Sequence, residues 1–289
     1  MICRMCPRKC GVNRSERYGF CASPQAFRVA RAALHFWEEP CISGRHGSGT
    51  VFFSGCNLKC VFCQNNEISL KNKGMEVSGE KLIGIFERLI DSGAENINLV
   101  NPTHYALQLG ALFSKWKCPV PVVYNSGGYD SVETLKLLDG MIDIYLPDFK
   151  YIRNDRAEKY SRAPDYPMTA KAAIAEMLRQ QPVAVFENGR MKKGVIIRHL
   201  ILPGNTNSAV EIIDFCKRHF PGAYLSLMAQ YTPCGDLQNF PEINRKLTKR
   251  EYEKVINYAV SSGLQNVFVQ ELSSADEDYI PKFDFTGVM

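Results

Sequence analysis

A chain of 289 residues, 45% of them hydrophobic and 22% charged, can bury one large core or two modest ones without disulfide or metal staples. Its formal charge of +5, from 35 basic and 30 acidic residues, is a mild excess spread along the chain that neither demands nor excludes nucleic acid. No run approaches the roughly 18 apolar residues of a membrane span, which excludes a spanning helix.

Residues 1–45 are Cys- and Arg-rich with little periodicity. They are expected to form an extension held by something other than a core, ahead of a main domain over 46–289. The opening "MICRMCPRKC" has no apolar stretch to serve as a signal peptide, and the 11 cysteines are an odd number at irregular spacing. A reducing, cytoplasmic setting is expected, in which clustered thiolates bind metal or do redox chemistry. Cys3, Cys6, Cys10 and Cys21, with gaps of two, three and ten residues, suggest a metal-held knuckle. Zinc would make it structural and iron–sulfur would make it an electron relay; the spacing leaves both open, and Cys41 is expected to complete or neighbour either this group or that of Cys56, Cys60 and Cys63.

From Thr50 onward, short β-branched or aromatic runs alternate with helical periodicity. The strand candidates are Thr50–Ser54, Asn96–Val100, Pro121–Asn125, Ile142–Leu146, Val195–Leu202, Ala223–Leu227 and Asn266–Gln270. Their near-continuous apolar character says that both faces are covered. Between them, Leu82, Ile85, Phe86, Leu89 and Ile90 form a helical stripe ending at Gly93. Ser208 with Glu211, and Thr248 with Glu251, have capping-box spacing, and "FENGR" (Phe186 to Arg190) looks like a hairpin turn. The rhythm is that of a parallel sheet with crossover helices, and fewer than the eight strands of a closed barrel predict an open, partial β/α barrel.

The first of these strands runs into "SGCNLKCVFCQN", where Cys56, Cys60 and Cys63 stand at C-x3-C-x2-C spacing in a loop at the strand's C-terminal end, the face where such barrels place their chemistry. Four-iron clusters normally take four thiolates, so three leave one iron open to a ligand. A zinc site borrowing a distant fourth ligand, or bystander thiols, would give the same spacing.

That pattern, with aromatic Phe62 just before the last Cys, resembles the radical S-adenosylmethionine (SAM) superfamily, and the chain from Gly49 most resembles its pyruvate formate-lyase activating enzyme-like branch. The resemblance implies a [4Fe-4S] cluster on Cys56, Cys60 and Cys63 whose open iron binds SAM. One electron then breaks the sulfonium bond, and a 5′-deoxyadenosyl radical abstracts hydrogen. "DIYLPDFKY" looks like the segment in which an Asp-x-Lys pair contacts SAM; Asp148 and Lys150 occupy it, two apart on a strand and so on one face. "IIRHLILPG" resembles the next wall of the site, where Arg198 and His199 alternate faces and Arg198 is the inward candidate. Where the superfamily often carries a Gly-Gly-Glu segment this chain has "NLVNPTHY", leaving Asn101 and Thr103 to supply hydrogen bonds. Asn125 and Ser126 are further polar contacts to SAM, and Cys234 in "LMAQYTPCG" is a candidate catalytic thiol beside the radical.

The leading expectation is an enzyme that works without oxygen. It would activate a glycyl radical enzyme by taking hydrogen from a partner protein, with a flavodoxin- or ferredoxin-type reductant. The alternatives are radical chemistry on a small molecule, peptide or RNA, and, from another class, a metal-bound electron carrier or adaptor.

Overall fold

A computed structural model describes residues 2–272 and 281–289. Its elements, in chain order, are β1 (Phe27–His35), α1 (Pro40–Ser43), β2 (Ser48–Phe53), α2 (Asn66–Ser69), β3 (Met75–Val77), α3 (Gly79–Asp91), β4 (Ile97–Val100), α4 (Ala106–Phe113), β5 (Val122–Ser126), α5 (Val132–Lys136), β6 (Ile144–Pro147), α6 (Asn154–Ser161), α7 (Tyr166–Gln180), β7 (Val185–Glu187), β8 (Arg190–Leu200), α8 (Thr206–His219), β9 (Tyr224–Met228), α9 (Lys249–Ser261) and β10 (Val267–Val269). Among the described residues no helix is long and apolar enough to cross a membrane.

The strands form one sheet in the order β10-β9-β8-β6-β5-β4-β2-β1-β3, with β7 paired to β8. Along that order from β2 to β10 every pairing is parallel, while β7 runs antiparallel to β8 and β1 antiparallel to β2 and β3. The order has two ends, so the barrel is open. Every residue of β2, β5 and β6 is buried, as expected of strands covered on both faces.

On the outer face the apolar stripe of α3 packs into the main core with Val51, Phe53, Ile97 and Leu99. Ser78 accepts from Lys81 N to start that helix, and Gly93 at φ +91° follows its end. The inner face is layered along the strands. Lower residues Val123, Ile144, Leu146 and Ile196 cluster with Cys41 and Ile42 of α1, which plugs the floor of the sheet's concave side. One step further along the same faces stand Asn125, Asp148 and Arg198, so the apolar floor gives way to a polar mouth.

Three sequence expectations need adjusting. Part of the stretch expected as an extension over residues 1–45 is in the sheet: β1 buries Val29, Ala30 and Ala32. A register shift between Val29 and Arg31 breaks its alternation, which is why the period of two is hidden. The box at Ser208 and Glu211 does not form. After Gly204 at φ +71° the chain is already helical at Thr206, and Glu211 instead pairs with Arg153. Cys41 sits in the floor cluster with Val123 and Ile144 and belongs to neither thiol group. The box at Thr248 and Glu251 does form, and Asn188 and Gly189, both at positive φ, turn the β7–β8 hairpin.

Candidate active site

The loop from Gly55 to Asn65 leaves β2 at its C-terminal end and is pinned by its backbone. Gly55 N donates to Ile68 O (2.8 Å), Cys56 N to Cys21 O (3.2 Å), Lys59 N to Ser161 O (3.3 Å) and Val61 N to Tyr160 O (2.9 Å). Each of its thiols has a polar neighbour: Leu58 N reaches Cys56 Sγ (3.4 Å), Ser161 Oγ donates to Cys60 Sγ (2.9 Å), and Cys63 Sγ shares a hydrogen with Ser69 Oγ (3.1 Å).

Burial pushes the Cys56 thiol up to about 12, and the charges of Cys60 and Cys63 add to the effect. Cys63 is raised for the same reasons, burial first and then Cys60, with partial relief from Ser69 and Lys150. Thiols so placed ionise readily only beside positive charge, and an iron–sulfur core would supply it to Cys56 and Cys63. Among the described residues no three His, Cys, Asp or Glu side chains converge closely enough to hold a single metal ion. The corners of a cubane lie further apart than the ligands of one ion, so mutually perturbing but unconverged thiols fit the cluster.

Cys60 and Cys63 face a cavity of about 240 Å³. Its far wall is an ion network. Lys150 Nζ meets Asp148 Oδ2 at 2.6 Å, and Arg198 Nε donates to Asp148 Oδ1 at 3.0 Å. Arg198 Nη2 donates to Asn125 Oδ1 at 2.6 Å, and its Nη1 lies 3.4 Å from Glu38 Oε2. Asn98 and Asn125 donate their amides to Glu38 Oε1 at 3.0 and 3.2 Å. Burial opposes ionisation of Asp148, yet Arg198 and Lys150 together hold it below its ordinary range. Burial dominates at Glu38 and Glu39, and both are raised despite Arg198. Apolar lining comes from Phe52, Phe62, Val100, Leu200 and Met228.

The structure therefore brings Cys60, Phe62, Cys63, Asn125, Asp148, Lys150 and Arg198 onto one cavity, with Cys56 adjoining through the loop. Other candidates stand elsewhere. Thr103 and Ser126 both bond the buried Asp130, at 2.7 and 2.6 Å, and do not line the cavity. Asn101 sits at φ +59° and donates to Gly55 O, which makes it a brace for the cluster loop. Cys234 donates to Phe62 O at 3.1 Å and does not line the cavity either. His199 points away, its Nδ1 bonded to Phe149 O at 2.8 Å, as strand alternation requires once Arg198 faces inward.

Glu38, with His35 and Trp37, lines the cavity and was not anticipated from sequence. Adjacent acids before Pro40 gave a local signal, but only the floor plug formed by α1 carries them into the mouth. Of the four N-terminal thiols, Cys6 lies near the other three, and none of them lines the cavity.

No protein-family model matches the chain. The uncharacterized protein MJ0674 of Methanocaldococcus jannaschii is 32% identical over 276 residues, which cover 92% of this chain and 76% of that protein. SuiB of Streptococcus suis, solved bound to S-adenosylmethionine, matches 76% of this chain and 49% of its own length, with a TM-score of 0.53 and 16% identity. Methylornithine synthase (PylB) matches 89% of this chain and 66% of its own, with a TM-score of 0.53 and 12% identity. The chain spans about half the length of SuiB, and the likeness to both is one of fold.

Proposed function

Because this chain belongs to the same family as MJ0674 and shares the fold of a protein solved with S-adenosylmethionine, we propose that it is a radical SAM enzyme. The observation that carries this reading is the cavity itself: thiols from the loop after β2 on one wall, and Asp148, Lys150 and Arg198 on the other.

Cys56, Cys60 and Cys63 would hold the four-iron cluster, and Ser161 and Ser69 keep two of those sulfurs oriented. When bound, cluster and SAM supply one-electron cleavage of the sulfonium bond and hydrogen-atom abstraction. The chain's own part is binding and enclosure. The Asp148 carboxylate suits an α-ammonium, and Lys150 and Arg198 suit an α-carboxylate. Phe62, Leu200 and Met228 keep water from the reacting end. The Asp148-x-Lys150 pair supports the finer reading, an activase-like enzyme that takes hydrogen from a glycine of a partner protein, with a flavodoxin- or ferredoxin-type reductant.

Anaerobic reconstitution with iron and sulfide, followed by SAM and a reductant, tests the proposal. Production of 5′-deoxyadenosine and methionine is expected, and Cys56→Ala, Cys60→Ala or Cys63→Ala should abolish cluster absorbance and cleavage together. An intact, reduced cluster that yields no 5′-deoxyadenosine would overturn it. The finer reading is tested by whether a glycyl radical enzyme incubated with the loaded protein acquires a glycyl signal in EPR.

A further inference from the structure

Residues 2–13 fold back on themselves as a hairpin. Cys3 N donates to Val12 O (2.8 Å) and Gly11 N to Cys3 O (3.0 Å), with Ile2 and Asn13 bridged beyond them. Lys9 N donates to Cys6 O (3.0 Å), and Lys9 and Gly11 adopt positive φ, which curls the tip and sets Cys6 near Cys3 and Cys10. Cys21 arrives from the next loop. A Cβ on Gly19 would stand 3.2 Å from Cys10 Sγ and 3.7 Å from Cys21 Sγ, so those two thiols face the same spot. Cys6 is near enough to Cys3, Cys10 and Cys21 to feel all three charges, and no disulfide joins any of them.

A single zinc ion would draw four sulfurs to about 2.3 Å from one centre. Among the described residues no three side chains converge in that way. The N-terminal thiols are, like Cys56, Cys60 and Cys63, a group of cysteines with no disulfide among them. They also abut that loop directly: Cys21 O accepts from Cys56 N at 3.2 Å. Arg8 spans the same junction, donating Nε to Asn57 O (2.8 Å) and Nη1 to Arg162 O (2.6 Å), with its guanidinium 4.1 Å from the Phe20 ring centre. These contacts would set a redox centre on the N-terminal thiols directly against the Cys56 loop. From Cys21 the route to Cys56 is one carbonyl and one hydrogen bond.

We propose that Cys3, Cys6, Cys10 and Cys21 hold a second iron–sulfur cluster that delivers electrons to the cluster on the Cys56 loop. This rests on the reading of Cys56, Cys60 and Cys63 as a cluster site. In each transfer a low-potential donor protein loses one electron, the N-terminal cluster is reduced, and it is reoxidised as the Cys56 cluster takes that electron; no bond or proton changes hands. Arg4, Lys9 and Arg17 are exposed on the same segment, a basic surface that suits an acidic donor.

The test uses the full chain purified without oxygen. Iron, acid-labile sulfide and zinc are counted and the iron is examined by Mössbauer spectroscopy. Iron and sulfide are expected at roughly twice the content of one four-iron cluster. Cys6→Ser combined with Cys10→Ser should lose the excess iron and keep the rest. Its remaining cluster should still be reduced by dithionite but no longer by reduced flavodoxin, followed by absorbance. The converse variant, with Cys56, Cys60 and Cys63 all changed to Ala, should keep N-terminal iron that flavodoxin reduces. About one zinc per chain beside the iron of a single cluster, or flavodoxin reduction undiminished in the Cys6/Cys10 variant, would overturn the relay and leave the Cys56 site standing. Iron lost by the Cys6/Cys10 variant and fully kept by the converse variant would instead sink the reading of the Cys56 loop. The metal count on the unaltered chain needs no variant to fold.

Discussion

At Asp148 two effects oppose each other: burial resists the charge, and Arg198 and Lys150 hold it in place. Changing Asp148 to Asn leaves two buried cations short of their counter-charge, and breaking a buried pair in this way costs about 3–5 kcal/mol. The cluster's absorbance should persist, because no thiol is touched. SAM affinity should fall by roughly 10- to 100-fold, the worth of a charged hydrogen bond. Equilibrium dialysis on the reconstituted protein measures this, and unchanged affinity removes Asp148 from the SAM site. His104 makes a second case. Buried and bonded through Nε2 to Ser54 O at 2.8 Å, its pKa is lowered to about 3, by burial first and then by Arg14. The unfolded chain takes up that proton near its ordinary value of about 6.5. The stability contributed by neutral His104 is therefore complete above that value and is lost as pH falls toward the folded value, at about 1.4 kcal/mol per pH unit. His104→Gln can still donate to Ser54 O but cannot titrate. The stability difference between wild type and variant, from urea unfolding at about pH 6 and about pH 5, should shrink by that amount. Parallel curves would mean that the ring is not held neutral in the fold. His199 is lowered in the same direction but is present in both proteins and cancels.

Among the elements, the cluster loop depends on Gly55. Its φ of +85° disfavours a side chain, and a Cβ there would overlap Ser23 Oγ and the Cys21 carbonyl. Gly55→Ala should push the N-terminal segment off the loop and lower iron content sharply. Gly93→Ala shares the positive φ but meets nothing within 4 Å. It should cost about 1–2 kcal/mol of stability and leave iron unchanged. Equal iron in both variants would show that the contact at Gly55 does not shape the loop. Much of this level was legible in the sequence, because it is local. The three cysteines, the Asp148-x-Lys150 face, the alternation that turns Arg198 in and His199 out, and the Asn188-Gly189 turn all follow from spacing within one element. What the sequence hid depends on path. The bulge in β1 erased its period, and Glu38 reaches the mouth only because α1 enters the concave floor from below. Asn101 and Thr103 sit at a strand end like true contacts, yet the turn after β4 directs them to Gly55 and Asp130.

For the molecule as a whole, the two regions are held together by different means. The sheet and its helices share one continuous apolar core, whereas residues 2–24 contribute to it chiefly Met5 and the partly buried Cys3. Otherwise they dock through polar contacts: Arg8 to Asn57 O, the buried Arg14 to His104 O, Thr134 Oγ1 to Met5 O, Ser23 Oγ to Ser54 O and Cys56 N to Cys21 O. Where a metal site is not preformed, its binding free energy is folding free energy. Without metal the four thiols supply no cross-link, leaving Arg8, Arg14 and the bond from Thr134 Oγ1 to Met5 O (2.6 Å) to hold the hairpin. Stripping metal with a chelator should then leave the far-UV spectrum of the sheet largely intact while loosening the backbone at Arg4, Lys9 and Arg17 enough for trypsin to cut there. Mass spectrometry over a digestion time course should find those cuts before any within residues 27–272, and in the metal-loaded protein they should be slow. Cuts at equal rates with and without metal would mean that these polar contacts suffice to hold the hairpin. Simultaneous loss of the whole chain would mean that sheet and hairpin unfold as one unit, and that the core depends on metal as much as the N-terminus does.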